Sequence, residues 1–201
     1  MNKQFYFPFG EPLRKVEQKD RYPKRIFVLG VYASAVHATW KDRKGKTKVK
    51  ALAVASEPEI FWRGGNADEI INGIKIPEEL GELVVPEKIF NGPSGIALDD
   101  KYLKPLGYSR IDTWLCDIIP FSRMNGSQLK AINNNYTKEI IQKYNLKLPS
   151  IPPFTKSELN SESRRHEIMM ELEESRAETI ILLGDEPIRH FLGHYAKVKY
   201  S

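Results

Sequence analysis

Apolar residues gather into three short runs, each the length of a strand and each closed by a glycine or a proline. Ile26-Phe27-Val28-Leu29 ends at Gly30, Trp114-Leu115-Cys116-Asp117-Ile118-Ile119 ends at Pro120, and Thr179-Ile180-Ile181-Leu182-Leu183 ends at Gly184. Continuous runs of this kind, without polar alternation, predict strands covered on both faces, as in a parallel sheet. Between the runs the apolar spacing changes to three and four. Leu129, Ile132, Tyr136, Ile140 and Tyr144 predict one helix beginning at Asn125. Thr155 and Glu158 form a capping box that opens a charged helix through Glu174. Asp185 is placed to cap a last helix with Pro187 in its first turn. Strands separated by helices predict an α/β, three-layer domain with a short, mostly parallel sheet flanked by helices.

A different pattern follows the first run. Lys46 to Ala55 alternates, and Asp42-Arg43-Lys44-Gly45 before it carries turn chemistry. Together these predict a β-hairpin over about residues 31–55, with a helix over Ala33 to Ala38 as the competing reading. Residues 1–24, broken by Pro8, Pro12 and Pro23, read as an irregular arm that Phe5, Phe7 and Phe9 could anchor. Residues 25–201 then read as a single domain, which suits a chain of 201 residues.

Charge sharpens the hairpin more than the whole. The net charge of +5 permits nucleic-acid binding without showing it. The excess is local: Lys41, Arg43, Lys44, Lys46 and Lys48 crowd one segment. That segment is either a solvated hairpin tip or a surface for a phosphate backbone. A single cysteine, Cys116, excludes an intrachain disulfide framework. No run approaches the roughly 18–20 apolar residues that span a bilayer, and no secretory signal pattern opens the chain. The expectation is a cytoplasmic protein without a membrane partner.

Open parallel sheets bind ligands just beyond the carboxyl ends of their strands. That rule points to Gly30 with Tyr32 and Ser34, to Asp117, and to Gly184 with Asp185. A carboxylate inside an apolar strand needs a partner or a ligand, so Asp117 is the sharpest candidate; its bland reading is a turn-forming acid satisfied by backbone N–H groups. Gly184-Asp185 can offer helix N–H groups to an anion, although the two acids Asp185 and Glu186 oppose one. Phe61 and Trp62, with Trp40, are aromatic platforms. His190 and His194 share a helical spacing but lack a metal-protease pattern. The chain has no phosphate-binding P-loop, dinucleotide fingerprint or Gly-x-Ser-x-Gly elbow, so no cofactor and no metal is expected.

The three strand segments, in this order and spacing from about residue 25 to 195, resemble the uracil-DNA glycosylase superfamily. The resemblance implies that the loop after Gly30 leads to a water-activating group, that Asp117 stands where a polar residue reads the base, and that Gly184 precedes a helix. It also implies a DNA or nucleobase partner. Here Gly30 is followed by Val31-Tyr32-Ala33-Ser34, with no acid or amide, and Asp117 stands where the family often has an amide. The family's histidine segment beyond the third strand is not found before Ser201, which suggests a shortened domain and leaves His190 as the substitute catalytic candidate. The resulting expectation is a glycosylase-like protein that binds nucleic acid or a nucleobase and cleaves an N-glycosidic bond. The alternatives are a small-molecule hydrolase or transferase on a similar fold, and a non-catalytic protein-interaction module.

Overall fold

In the computed structural model, residues 4–197 are described. Within them the strands are β1 (Ile26–Tyr32), β2 (Ala35–Lys41), β3 (Thr47–Ser56), β4 (Glu82–Val84), β5 (Thr113–Ile119) and β6 (Thr179–Leu182). The α-helices that matter for the site and its support are α1 (Ala67–Asn72), α2 (Pro93–Leu98), α3 (Gly126–Asn135), α4 (Lys138–Lys143) and α5 (Glu162–Ser175). The fold is α/β. A parallel sheet of order β5-β1-β6 stands beside an antiparallel sheet of order β3-β2-β4.

The apolar runs explain the parallel sheet. Alternate residues of β1 face opposite layers. Phe27 and Leu29 pack with Trp114, Cys116 and Ile168 of α5. Ile26 and Val28 pack with Leu115, Ile60 and Leu98 of α2. Both faces are covered, so a continuous run is required. The third run behaves differently. The expected buried strand over Glu178 to Gly184 is shorter, Thr179–Leu182, and Ile180 is 41% exposed. Among the described residues β6 pairs with β1 alone, at the edge of the sheet opposite β5.

The hairpin forms as β2 and β3, and Ala33 to Ala38 is not helical. Asp42 closes its turn: one carboxylate oxygen accepts from the N–H groups of Lys44 (2.9 Å) and Lys46 (3.0 Å), while Gly45 supplies a positive φ. The sheet's core centres on Trp40, fully buried, whose indole N–H donates to Leu80 O at 2.8 Å. The arm packs here, with Phe9 edge-on to Trp40 at 5.3 Å and to Tyr136 at 5.1 Å.

Two helix expectations are corrected. The helix from Asn125 is two helices, because Tyr136 leaves helical geometry to place its ring in this core and Thr137 caps α4 afresh. The Thr155–Glu158 capping box forms, but it opens a 3₁₀ segment, Lys156–Asn160, and Ser161 caps α5. The chain end at Ser201 lies outside the described residues. No helix among them is long and apolar enough to cross a membrane.

Candidate functional site

Parallel pairing of β1 with β5 sets Gly30 directly beside Asp117. The two-residue period puts both on the face that Val28 and Leu115 share, at the carboxyl end of the sheet. A cavity of about 320 Å³ opens there, lined by Gly30, Val31, Tyr32, Ser34, Glu57, Phe61, Ser94, Asp117 and Leu183.

Gly30 is required for close approach. A Cβ on it would collide with Asp117 Oδ1 and lie 2.6 Å from Phe61 Cζ. Phe61 reaches this position through a left-handed backbone (φ 52°), uncommon for a bulky residue. Arg110 holds that turn, its Nη2 donating to the carbonyls of Phe61 (2.7 Å) and Gly95 (3.2 Å) while Nε binds Asp99 at 2.8 Å. Gly30→Ala is therefore expected to cost about 1–3 kcal/mol by overpacking and to displace Phe61 or Asp117. A denaturant midpoint equal to that of the unaltered chain would refute the contact.

Two buried carboxyls face the cavity. Asp117 is 3% exposed, and among the described residues its carboxyl has no hydrogen-bond or ion-pair partner. Burial pushes it up to about 7, opposed by the positive charge of Arg164. Glu57, 5% exposed, follows the last residue of β3. Its Oε1 accepts from Ser34 N–H at 2.9 Å. Burial, then the Asp117 charge, push Glu57 up to about 8, against backbone N–H groups of Ser34 and Trp62 that favour its ionised form. Around neutral pH such a pair holds carboxyls in both protonation states. Tyr32 stands at the rim, 39% exposed, with Phe154 5.2 Å from its ring.

The structure brings Gly30, Tyr32, Ser34 and Asp117 together at the strand ends, with Phe61, expected as an aromatic platform, beside them. It corrects the others. Trp62 is buried in the core of the antiparallel sheet, and its indole N–H donates to Asn66 Oδ1 at 3.0 Å. Trp40 is likewise core, not platform. At the third strand Leu183, not Gly184 or Asp185, lines the cavity, and Asp185 makes no side-chain cap; Gly184 occupies that position (φ 91°). His190 does not line the cavity. Its Nδ1 lies 2.8 Å from Asn160 Oδ1 and its Nε2 lies 3.0 Å from Glu186, which removes it from any direct role beside Asp117.

Glu57 is the residue that strand-end reasoning misses. It lies 27 positions beyond Gly30 in the chain, and the antiparallel return of β3 along β2, which pairs Ser56 with Ala35, brings it beside Ser34 at the strand ends. Its signal is an acid two residues after the apolar stretch Leu52 to Ala55. Ser94, in the first turn of α2, also lines the cavity.

The basic residues sit at the far end of the hairpin. Among the described residues Lys41, Arg43, Lys44, Lys46 and Lys48 form no ion pair, and Lys48 lies 4.3 Å from the Trp40 ring centroid. β2 runs from beside Ser34 out to Lys41, roughly 20 Å of extended chain. Among the described residues no group of three or more His, Cys, Asp or Glu could hold a metal ion. Compared with protein-family models, curated proteins and solved structures, the chain matches none.

Proposed function

We propose that the cavity binds a nucleobase and hydrolyses the N-glycosidic bond that joins it to a sugar. The observation that carries this reading is Asp117: a buried carboxyl without a protein partner, at the end of a parallel strand, facing a cavity edged by the Phe61 ring. An unpaired buried carboxyl is costly unless a ligand satisfies it. Phe61 and Tyr32 offer apolar faces to a planar heterocycle. Glu57, buried in the cavity wall and pushed by burial toward its protonated form, is the donor to the leaving base. In the reaction water adds at the sugar C1′ and the C1′–N bond breaks. Its electron pair goes to the base nitrogen, which takes the Glu57 proton. The proton shed by the added water returns Glu57 to its starting state. The exposed cations of the hairpin tip, roughly 20 Å along β2 from the cavity, are suited to backbone phosphates further along a bound strand.

The test is incubation with oligonucleotides that carry uracil, hypoxanthine, adenine or alkylated bases, followed by alkaline scission of abasic sites. Scission is expected for at least one of them, with a loss of 10²-fold or more in Glu57→Gln, the scale of general acid catalysis. Absence of scission and of salt-sensitive binding on every substrate would overturn the reading.

A further inference from the structure

We infer that the base taken by this cavity carries an exocyclic amine beside a ring nitrogen, as in adenine, cytosine or guanine and their cationic alkylated forms, and that uracil and thymine are disfavoured. This inference rests on the nucleobase reading above.

The balance of donors and acceptors on the cavity walls decides the choice. The polar side chains lining the cavity are Asp117, Glu57, two serines and the rim tyrosine Tyr32; among the described residues no lysine, arginine, histidine or amide side chain lines it. An ionised carboxylate only accepts, and a protonated one adds a single O–H donor. Ser34 N–H, a backbone donor at this edge, is already engaged by Glu57. The walls therefore present an excess of acceptors.

Uracil and thymine show two carbonyl acceptors flanking one N–H. Against carboxyl oxygens, at least one of those carbonyls meets an acceptor. An amine beside a ring nitrogen shows the opposite pattern. The amine donates to the Asp117 carboxylate, and the ring nitrogen accepts from, or donates to, the second carboxyl according to which of them holds the proton. Guanine, with N–H and amine side by side, satisfies one carboxylate with two parallel bonds. A base made cationic by alkylation gains further, because Arg164 lies behind the strand on backbone carbonyls and Cys116, Arg110 is bound to the Phe61 and Gly95 carbonyls, and neither lines the cavity.

Size does not distinguish the two groups, since cytosine and uracil have the same ring. Hydrogen-bond complementarity alone separates them. A well-made pair of bonds discriminates against the wrong base by about tenfold or more.

The experiment is titration of the full chain with free bases at pH 7.5, read by calorimetry or by displacement of fluorescent 2-aminopurine. Cytosine is the size-matched probe for uracil; adenine and 7-methylguanine extend the series. Cytosine is expected to bind at least about tenfold more tightly than uracil. Asp117→Asn, a shape-conserving change, should shrink or reverse that ratio, because an amide can donate to a uracil carbonyl and accept from its N–H. Uracil binding as tightly as cytosine overturns this inference and leaves the nucleobase reading standing. Failure of every base to bind overturns both. Because the ratio is measured first on the unaltered chain, the test holds even where the variant folds poorly.

Discussion

Asp117→Asn stabilises the fold at pH 8 by on the order of 4 kcal/mol and leaves it nearly unchanged at pH 4. The carboxyl ionises at about 7 in the folded chain against an ordinary 3.8, and each pH unit of difference corresponds to about 1.36 kcal/mol. In the interval between those values the unfolded chain has released a proton that the folded chain still holds. Stability therefore falls as pH rises through it, and is fully present only below 3.8. Asparagine removes the ionisation and with it this fall. Glu57 extends the same decline upward, since it ionises at about 8 against an ordinary 4.5. Its value should drop in the variant, because the Asp117 charge is one of the causes that raise it. Urea midpoints at the two pH values check the expectation. Equal gains at both would mean that asparagine packs better, and that no buried charge is being relieved.

A buried residue whose replacement stabilises the chain marks a place held against the interests of folding. Its neighbours Gly30, Phe61 and Glu57 also depart from what an ordinary core would hold. Each stands in a costly arrangement: a glycine in a strand, a left-handed aromatic, a second buried acid. All three costs converge on one cavity.

Gly30 and Asp117 were legible in the sequence because parallel strands write themselves as continuous apolar runs, and an acid or a closing glycine interrupts such a run visibly. Phe61 was legible as an aromatic, but not as distinct from Trp62. Adjacent residues in a turn point apart, and only the left-handed backbone at Phe61 decides which ring faces the cavity and which enters the core. Glu57 was not legible as a partner of Asp117, because 60 positions separate them and no local rule predicts that the hairpin's second strand ends beside Ser34, at the cavity that Asp117 lines. The third run misled in a different way. Its apolar residues read as buried, but Thr179 and Ile180 are exposed although β5, the opposite edge, is buried throughout, and its length was overestimated at both ends. His190 had the right chemistry for a catalytic group, but its helix turns it toward Asn160 and Glu186.

Arg164→Met should destabilise the fold by about 3–5 kcal/mol, the cost of leaving a buried ion pair with one member. The guanidinium is 11% exposed and its partner Glu171 12%, at 3.0 Å. Arg164 also closes the end of β5, with Nε donating to Ile118 O at 3.2 Å and Nη2 to Asp117 O at 2.8 Å. Its loss strands those carbonyls and the Glu171 carboxylate together. Glu171→Gln keeps an acceptor for the Trp114 indole, which donates to Glu171 at 3.1 Å, and removes the stranded charge. The double variant should accordingly be more stable than Arg164→Met alone; a double variant that is no better would assign the cost to packing of the methylene stem. The same arginine also connects this support to the cavity. Its charge lowers the pH at which Asp117 ionises. Without it the Asp117 carboxylate becomes costlier to bury, so Asp117→Asn should stabilise the Arg164→Met chain at pH 8 by more than it stabilises the unaltered one. Additive effects of the two changes would mean that Arg164 holds the strand end but does not set the charge state of the site.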